Sequence, residues 1–173
     1  MVAEADEDRI AEAVEAGKDD VVVPPSLVDD GPRQGEQSLV LRLRDMSVPQ
    51  RIKLALRGNR EARVHLIRDT NAVIRRLVLR NPRVTEDELL AVAKTRTADD
   101  ELLRMIADNR DWTKSYQIRH ALVTNPKTPI TMALKLMPSL MDRDVRRIAK
   151  SKNVPVTIAS QAKRMVLRRP GGS

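Results

Sequence analysis

Ile74-Arg75-Arg76-Leu77-Val78-Leu79-Arg80-Asn81-Pro82 and Ile118-Arg119-His120-Ala121-Leu122-Val123-Thr124-Asn125-Pro126 lie 44 positions apart, and a further 44 reaches Ala162-Lys163-Arg164-Met165-Val166-Leu167-Arg168-Arg169-Pro170. The proline returns three times, and apolar and cationic positions return with it. Self-similarity at such a period marks a repeat architecture in which each copy is one supersecondary unit. Upstream segments recur too: Leu54-Ala55-Leu56, Leu90-Ala91-Val92 and Leu134-Lys135-Leu136 hold equivalent places. So do Leu66-Ile67-Arg68-Asp69, Met105-Ile106-Ala107-Asp108 and Ile148-Ala149-Lys150-Ser151. The repeats run Val48–Pro82, Arg83–Pro126 and Lys127–Pro170, the first shortened as terminal copies often are.

The periodicity within each repeat is helical. A residue before proline is pushed out of the α region, so Asn81 and Asn125 are expected to close helices. Thr85 with Glu88 forms a capping-box pattern, and Ser47-Val48-Pro49 is a looser version. Thr128, Asp99 or Asp100, Asp142, and Thr113 or Ser115 are the remaining candidate caps. Gly58 is placed to end a first helix, and Pro138 to end or bend the helix starting near Pro129. The expected inward face includes Ile52, Leu56, Leu66, Ile67, Ile74, Val78, Leu89, Val92, Leu102, Met105, Ile106, Ile118, Leu122, Leu134, Ile148 and Met165. One copy alone cannot bury such a face, whereas three stacked copies can.

Composition agrees with packed short helices. The chain of 173 residues has no Phe, one Trp and one Tyr, so its core is aliphatic. It has no Cys, which removes disulfides, thiol nucleophiles and thiolate metal sites. No apolar run approaches the roughly 18 to 20 residues of a membrane helix. Glu4, Asp6, Glu7 and Asp8 stand where a secretory leader needs positive charge, which points to a cytoplasmic protein.

The net charge of +8 conceals a division: residues 1–47 hold 5 Lys/Arg against 12 Asp/Glu, and residues 48–173 hold 27 against 12. An acidic segment joined to a basic domain asks for an anionic partner, external or internal. Excess charge also keeps proteins soluble, which is the competing explanation. Residues 1–47 read as a mostly disordered acidic arm, because Pro24-Pro25 and Gly31-Pro32 break any helix or central strand. Asp8 to Ala16 has the spacing for two helical turns, with Ile10, Ala13 and Val14 on one side. Removing the arm is therefore expected to leave a cooperatively folded domain over 48–170, and residues 171–173 form a tail.

A period of 44 with short helices resembles HEAT and armadillo proteins, and the Asn-Pro steps resemble the leucine-rich-repeat-variant solenoids. Asn109-Arg110-Asp111-Trp112-Thr113-Lys114-Ser115-Tyr116-Gln117-Ile118, Asn125-Pro126-Lys127-Thr128-Pro129 and Ser151-Lys152-Asn153-Val154-Pro155 resemble a group of small bacterial HEAT-like proteins. The resemblance covers roughly Val48 to Leu167. It implies an all-α fold, a short α-solenoid of three HEAT-like repeats, and carries no activity across.

Catalytic chemistry is sparse. His65 and His120 are the only histidines and have no second His at metal-ligand spacing, so no metal site is assigned. None of the six glycines forms a phosphate-cradling loop, and no cofactor is implied. HEAT-like folds include DNA-repair glycosylases, but Asp111, Trp112 and Tyr116 are too few to build such a site. Arg42-Leu43-Arg44-Asp45 and Arg96-Thr97-Ala98-Asp99 match an Arg-x-x-Asp pattern of some cyclic-dinucleotide sites. Such short patterns recur by chance, and Asp99 already serves as a candidate cap.

Two features point to binding. Arg75, Arg119 and Lys163 fall at equivalent repeat positions, as do Arg76, His120 and Arg164, which in a solenoid predicts a basic stripe. The acidic arm is expected to compete for that stripe in cis. Trp112 and Tyr116, at i and i+4, share a face if their helix starts by Trp112. They then form either an exposed binding anchor or a plug between helices. The chain reads as a non-enzymatic protein-binding adaptor or scaffold for a partner with an acidic surface. A nucleic-acid or nucleotide-binding protein is the alternative.

Overall fold

The computed structural model describes residues 2–29 and 36–168. The expected tail 171–173 and the third repeat's closing Pro170 lie outside them. The described residues are all-helical, and none of their helices is long and apolar enough to cross a membrane. The chain divides into two compact units, Met1–Val84 and Thr85–Ser173.

The first unit contains α1 (Val2–Glu15), α2 (Glu36–Asp45), α3 (Val48–Arg57), α4 (Arg60–Leu66) and α5 (Ala72–Leu79). The second contains α6 (Glu86–Lys94), α7 (Asp100–Asp108), α8 (Tyr116–Thr124), α9 (Ile130–Leu136), α10 (Asp142–Lys150) and α11 (Val156–Arg168). Three successive runs of three helices, α3–α5, α6–α8 and α9–α11, fall within the sequence segments Val48–Pro82, Arg83–Pro126 and Lys127–Pro170.

Local chemistry sets the boundaries. Ser47 with Gln50 and Thr85 with Glu88 make reciprocal capping boxes at α3 and α6, each satisfying two otherwise orphaned donors. Asp99 caps α7 through the Glu101 amide, and Ser115 rather than Thr113 caps α8. Two expected caps are replaced. Met141 precedes α10, leaving Asp142 inside its first turn, and Pro129 rather than Thr128 stands before α9. Pro138 ends α9 by diverting the chain into a 3-10 turn at Met137–Ser139. Gly58 ends α3 for a steric reason, since a Cβ there would stand 2.2 Å from the Leu54 carbonyl oxygen.

Asn81 and Asn125 do more than precede a proline. Both are buried. The Asn81 amide donates to the Ala55 and Gly58 carbonyls at 2.9 and 3.2 Å, and its oxygen accepts from the Arg83 amide at 2.9 Å. Asn125 repeats the arrangement, donating to Ala93 and Thr95 at 2.7 and 3.0 Å and accepting from Lys127 at 2.9 Å. One side chain thereby ties the end of α5 to the end of α3, and another ties the end of α8 to the end of α6. Buried helix-terminal carbonyls need such partners.

The expectation of a mostly disordered arm fails over its described residues. Ala11 and Val14 of α1, Leu27, and Leu39 and Leu43 of α2 are buried in the same aliphatic cluster as Ile52, Leu66, Ile74 and Val78. The buried face of α1 runs through Glu7, Ala11 and Val14, with Ile10 packed beside it, a helical i, i+3, i+4 pattern. Gly17, at φ 66°, closes α1 in a left-handed turn, with its own amide bonded to Val14 and that of Lys18 to Ala13. The proline-rich connection is also fixed: Asn59 donates to the Ser26 and Asp29 carbonyls at 3.1 and 3.0 Å. Pro25 opens a 3-10 turn, Pro25–Leu27, whose Leu27 is buried, so the prolines do not free the chain.

Candidate functional site

Arg75 and Arg119, the first two members of the expected stripe, hold parallel positions in their helices but face inward. Arg75 donates to the Asp69 and Thr70 carbonyls at 2.7 and 3.0 Å, and Arg119 to the Thr113 and Lys114 carbonyls at 2.7 and 2.8 Å. Each guanidinium braces the loop entering its own helix. The 44-residue recurrence of arginine here has a structural cause, and both side chains are half-buried. Arg76 is half-buried on α5, while Lys163 and Arg164 stand exposed on α11. Arg75 and Arg76 belong to the first unit, and Arg119, His120, Lys163 and Arg164 to the second.

The acidic arm likewise meets cations of its own unit. Asp19 pairs with Lys53 at 2.7 Å, Glu15 with Arg80 at 2.6 Å, and Glu7 accepts from the Asn71 amide at 2.8 Å. These contacts join the arm to α3 and α5.

Trp112 and Tyr116 do not share a helix. Trp112 lies half-buried in a separate 3-10 turn, Trp112–Lys114, and α8 begins at Tyr116. The Tyr116 hydroxyl donates to buried Asp144 and accepts from the Met141 amide at 3.2 Å. Its ring lies under the Arg119 guanidinium, 5.5 Å from the centroid, and 6.4 Å from the His120 ring. Tyr116 therefore joins the start of α8 to the start of α10. Arg143 and Arg147 approach Asp144 at 3.9 and 3.8 Å.

His120 faces a cleft of about 340 Å³ within the second unit. One wall is the end of α6 and the loop after it, with Lys94 and Arg96. The floor is α8, with His120, Ala121, Thr124 and Asn125. The other wall is the end of α10 and the following turn, with Arg147, Ser151 and Asn153. No carboxylate lines it. Asn125 ties the first wall to α8, and the Tyr116–Asp144 bond ties α10 to α8, so the cleft is held from both ends of one helix.

The charge of the cleft lining is one-sided: it carries Lys94, Arg96, His120 and Arg147 and no carboxylate, within residues 86–168 that hold 16 Lys/Arg and 10 Asp/Glu. Cations in the last turn of a helix also complement its dipole, which accounts for part of the placement of Lys94 and Arg147. That role is too small to cancel the field. A helix end carries about half a negative charge. Three such ends, those of α6, α8 and α10, offset only part of the positive charge of Lys94, Arg96, Arg147 and their neighbours. Lys94 and Arg96 are exposed, and neither makes a hydrogen bond or ion pair among the described residues.

Lys94, Arg96 and Arg147 are absent from the stripe read off the repeats because they do not repeat. Positions 44 residues after Lys94 and Arg96 are Pro138 and Leu140. The available signal was the acid-poor stretch from Trp112 onward, which marks the region without selecting side chains.

The Asp144 carboxyl is held below the usual carboxylate range, first by the Tyr116 hydroxyl and also by His120, Arg143 and Arg147, against the opposing effect of burial. Tyr116 is correspondingly raised, by burial first and then by Asp144. A lowered folded value means that ionised Asp144 stabilises the fold above the unfolded pKa of about 3.9, and that this contribution is lost as pH falls through the folded value. Asp144→Asn is thus expected to lower the melting temperature at neutral pH and to reduce its further fall on acidification below about pH 4. An equal acid-induced fall in wild type and variant would contradict this assignment.

No family model, curated protein or solved structure matches this chain. What the fold and site define is an all-helical protein with a cationic, concave surface.

Proposed function

We propose that this chain is a non-enzymatic, protein-binding adaptor in which the three helix runs are repeats of a short HEAT-like α-solenoid. Its partner-contacting surface is the basic cleft of the second unit. The repeat reading is supported by side chains that recur in role as well as type, Asn81 with Asn125 and Arg75 with Arg119. The binding reading rests on one observation: Lys94, Arg96, His120 and Arg147 line one cleft that no carboxylate enters. Such a surface favours an acidic partner segment electrostatically and disfavours basic ones. The sequence-derived stripe is thus replaced, except for His120, by cations brought together in space. Asp144, the nearest buried carboxylate, is already occupied by Tyr116, leaving the cleft to cations and neutral polar groups.

Lys94→Glu with Arg96→Glu tests this reading, because neither side chain makes a hydrogen bond or ion pair among the described residues. Wild type is expected to capture proteins with acidic segments from a nuclease-treated extract, and the double variant to lose them while its melting temperature falls only by the small helix-end contribution of Lys94. Capture that disappears on nuclease treatment would support a nucleic-acid partner instead. Equal capture by both proteins would remove the cleft from the interface.

A further inference from the structure

We infer that the basic cleft recognises a phosphate monoester on a partner side chain, so that the adaptor reads a phosphorylated segment of its partner. This rests on the protein-binding reading above and narrows its ligand. The cations are concentrated around one concavity of about 340 Å³ rather than spread along a flat face. A flat acidic surface offers single carboxylates of charge −1 at separate points. A phosphate monoester brings about −1.5 to −2 and three strong acceptor oxygens to one point, which matches several donors facing one space.

The donors are of suitable kinds. Arg96 and Arg147 offer planar guanidinium forks for phosphate oxygens, and Lys94 supplies a point charge. Ser151 and Asn153 add neutral polar groups on the same wall. Arg147 lies 3.8 Å from Asp144, beyond hydrogen-bond distance, and its side chain is 80% exposed, so its guanidinium donors are open to a ligand. The walls carrying these groups are already tied to α8 by Asn125 and Tyr116, so little of the scaffold has to be ordered on binding.

Phosphodiesters fit less well. A nucleic-acid backbone spreads one charge per nucleotide along a track, and single-stranded binding relies on aromatic platforms for the bases. The His120 imidazole is the only planar ring in this lining.

The test uses the full chain and three fluorescent peptides of one otherwise uncharged sequence, carrying phosphoserine, serine or glutamate at the centre. Adenosine monophosphate is the competing small molecule. The phosphoserine peptide is expected to bind saturably, at least about tenfold more tightly than the glutamate peptide, with no saturation by the serine peptide. Lys94→Ala and Arg96→Ala should each weaken it by about tenfold, since each removes a charge-assisted contact. Lys135→Ala, an exposed α9 cation outside the cleft, should leave it within about twofold. Melting curves confirm that each variant folds, and Arg96→Ala serves as the main readout because Arg96 makes no hydrogen bond or ion pair among the described residues. Glutamate and phosphoserine peptides binding equally would overturn the phosphate inference while leaving an acidic-partner adaptor standing. Adenosine monophosphate competing as tightly as the phosphopeptide would overturn the peptide source. Absence of binding by either charged peptide would overturn both readings, and unaltered binding by the two cleft variants would overturn the site.

Discussion

Deleting residues 1–47 is expected to unfold the first unit while the second remains helical. Val14, Leu27, Leu39 and Leu43 belong to that unit's aliphatic cluster, and burial of each such side chain is worth about 1.5 to 3 kcal/mol. Their combined loss is comparable to the whole stability of a small domain, about 5 to 15 kcal/mol. Polar contacts vanish with them. Arg57 loses the Val14 and Glu15 carbonyls at 3.1 and 3.0 Å, and Lys53 loses Asp19 and the Val21 carbonyl. Hydrogen exchange reads the outcome by region. Amides of residues 52–56 and 73–79 should lose protection in the truncated chain, and those of 102–106 and 118–123 should keep it. Full protection of α3 and α5 without the arm would show that the arm is an accessory, as its acidic, proline-broken sequence alone implies.

Leu122→Ala should destabilise the second unit by about 2 to 5 kcal/mol. Leu122 is fully buried, beside equally buried Ile118, on a helix that packs against α6, α7 and α9. A cavity there is surrounded by several helices, and partial collapse of one cannot fill it. Leu134→Ala, on α9 and only half-buried, is the comparison and should cost clearly less. Urea midpoints at constant slope measure both. Equal small losses at the two positions would mean that the centre of the unit lies elsewhere.

What could be read from the residues was whatever repeats or is local. Thr85 with Glu88 and Asp99 before Glu101 are contacts within one turn, and both form as their spacing implies. Ile52, Ile74, Leu102, Ile118 and Ile148 are buried because helical periodicity needs no knowledge of the partner helix. Val92, Met105 and Met165 share that pattern yet are only half-buried, since the pattern marks a face and packing decides its edges.

The arm was misread for a physical reason. Its charge and prolines argue against independent folding, but α1 folds against α3 and α5, where carboxylates Glu15 and Asp19 find cations far along the chain. Arg75 and Arg119 were read as outward-facing because repetition cannot distinguish a recurring surface charge from a recurring internal brace. Arg75 and Arg119 repeat because the loop before each third helix presents two carbonyls in the same place. The cleft was invisible because Lys94, Arg96 and Arg147, from α6, the loop after it and α10, line one space only once the chain is folded.

The proposed interface is tested most directly by residue-resolved amide chemical shifts during titration of the full chain with a short Glu/Asp-rich peptide at low salt. The expected shifts concentrate at residues 93–96, 120–125 and 147–154, diminish in Lys94→Glu with Arg96→Glu, and fade as salt rises over the range where the Debye length drops below about 8 Å. Shifts confined to the exposed Lys163 and Arg164 of α11, or to the first unit, would contradict it.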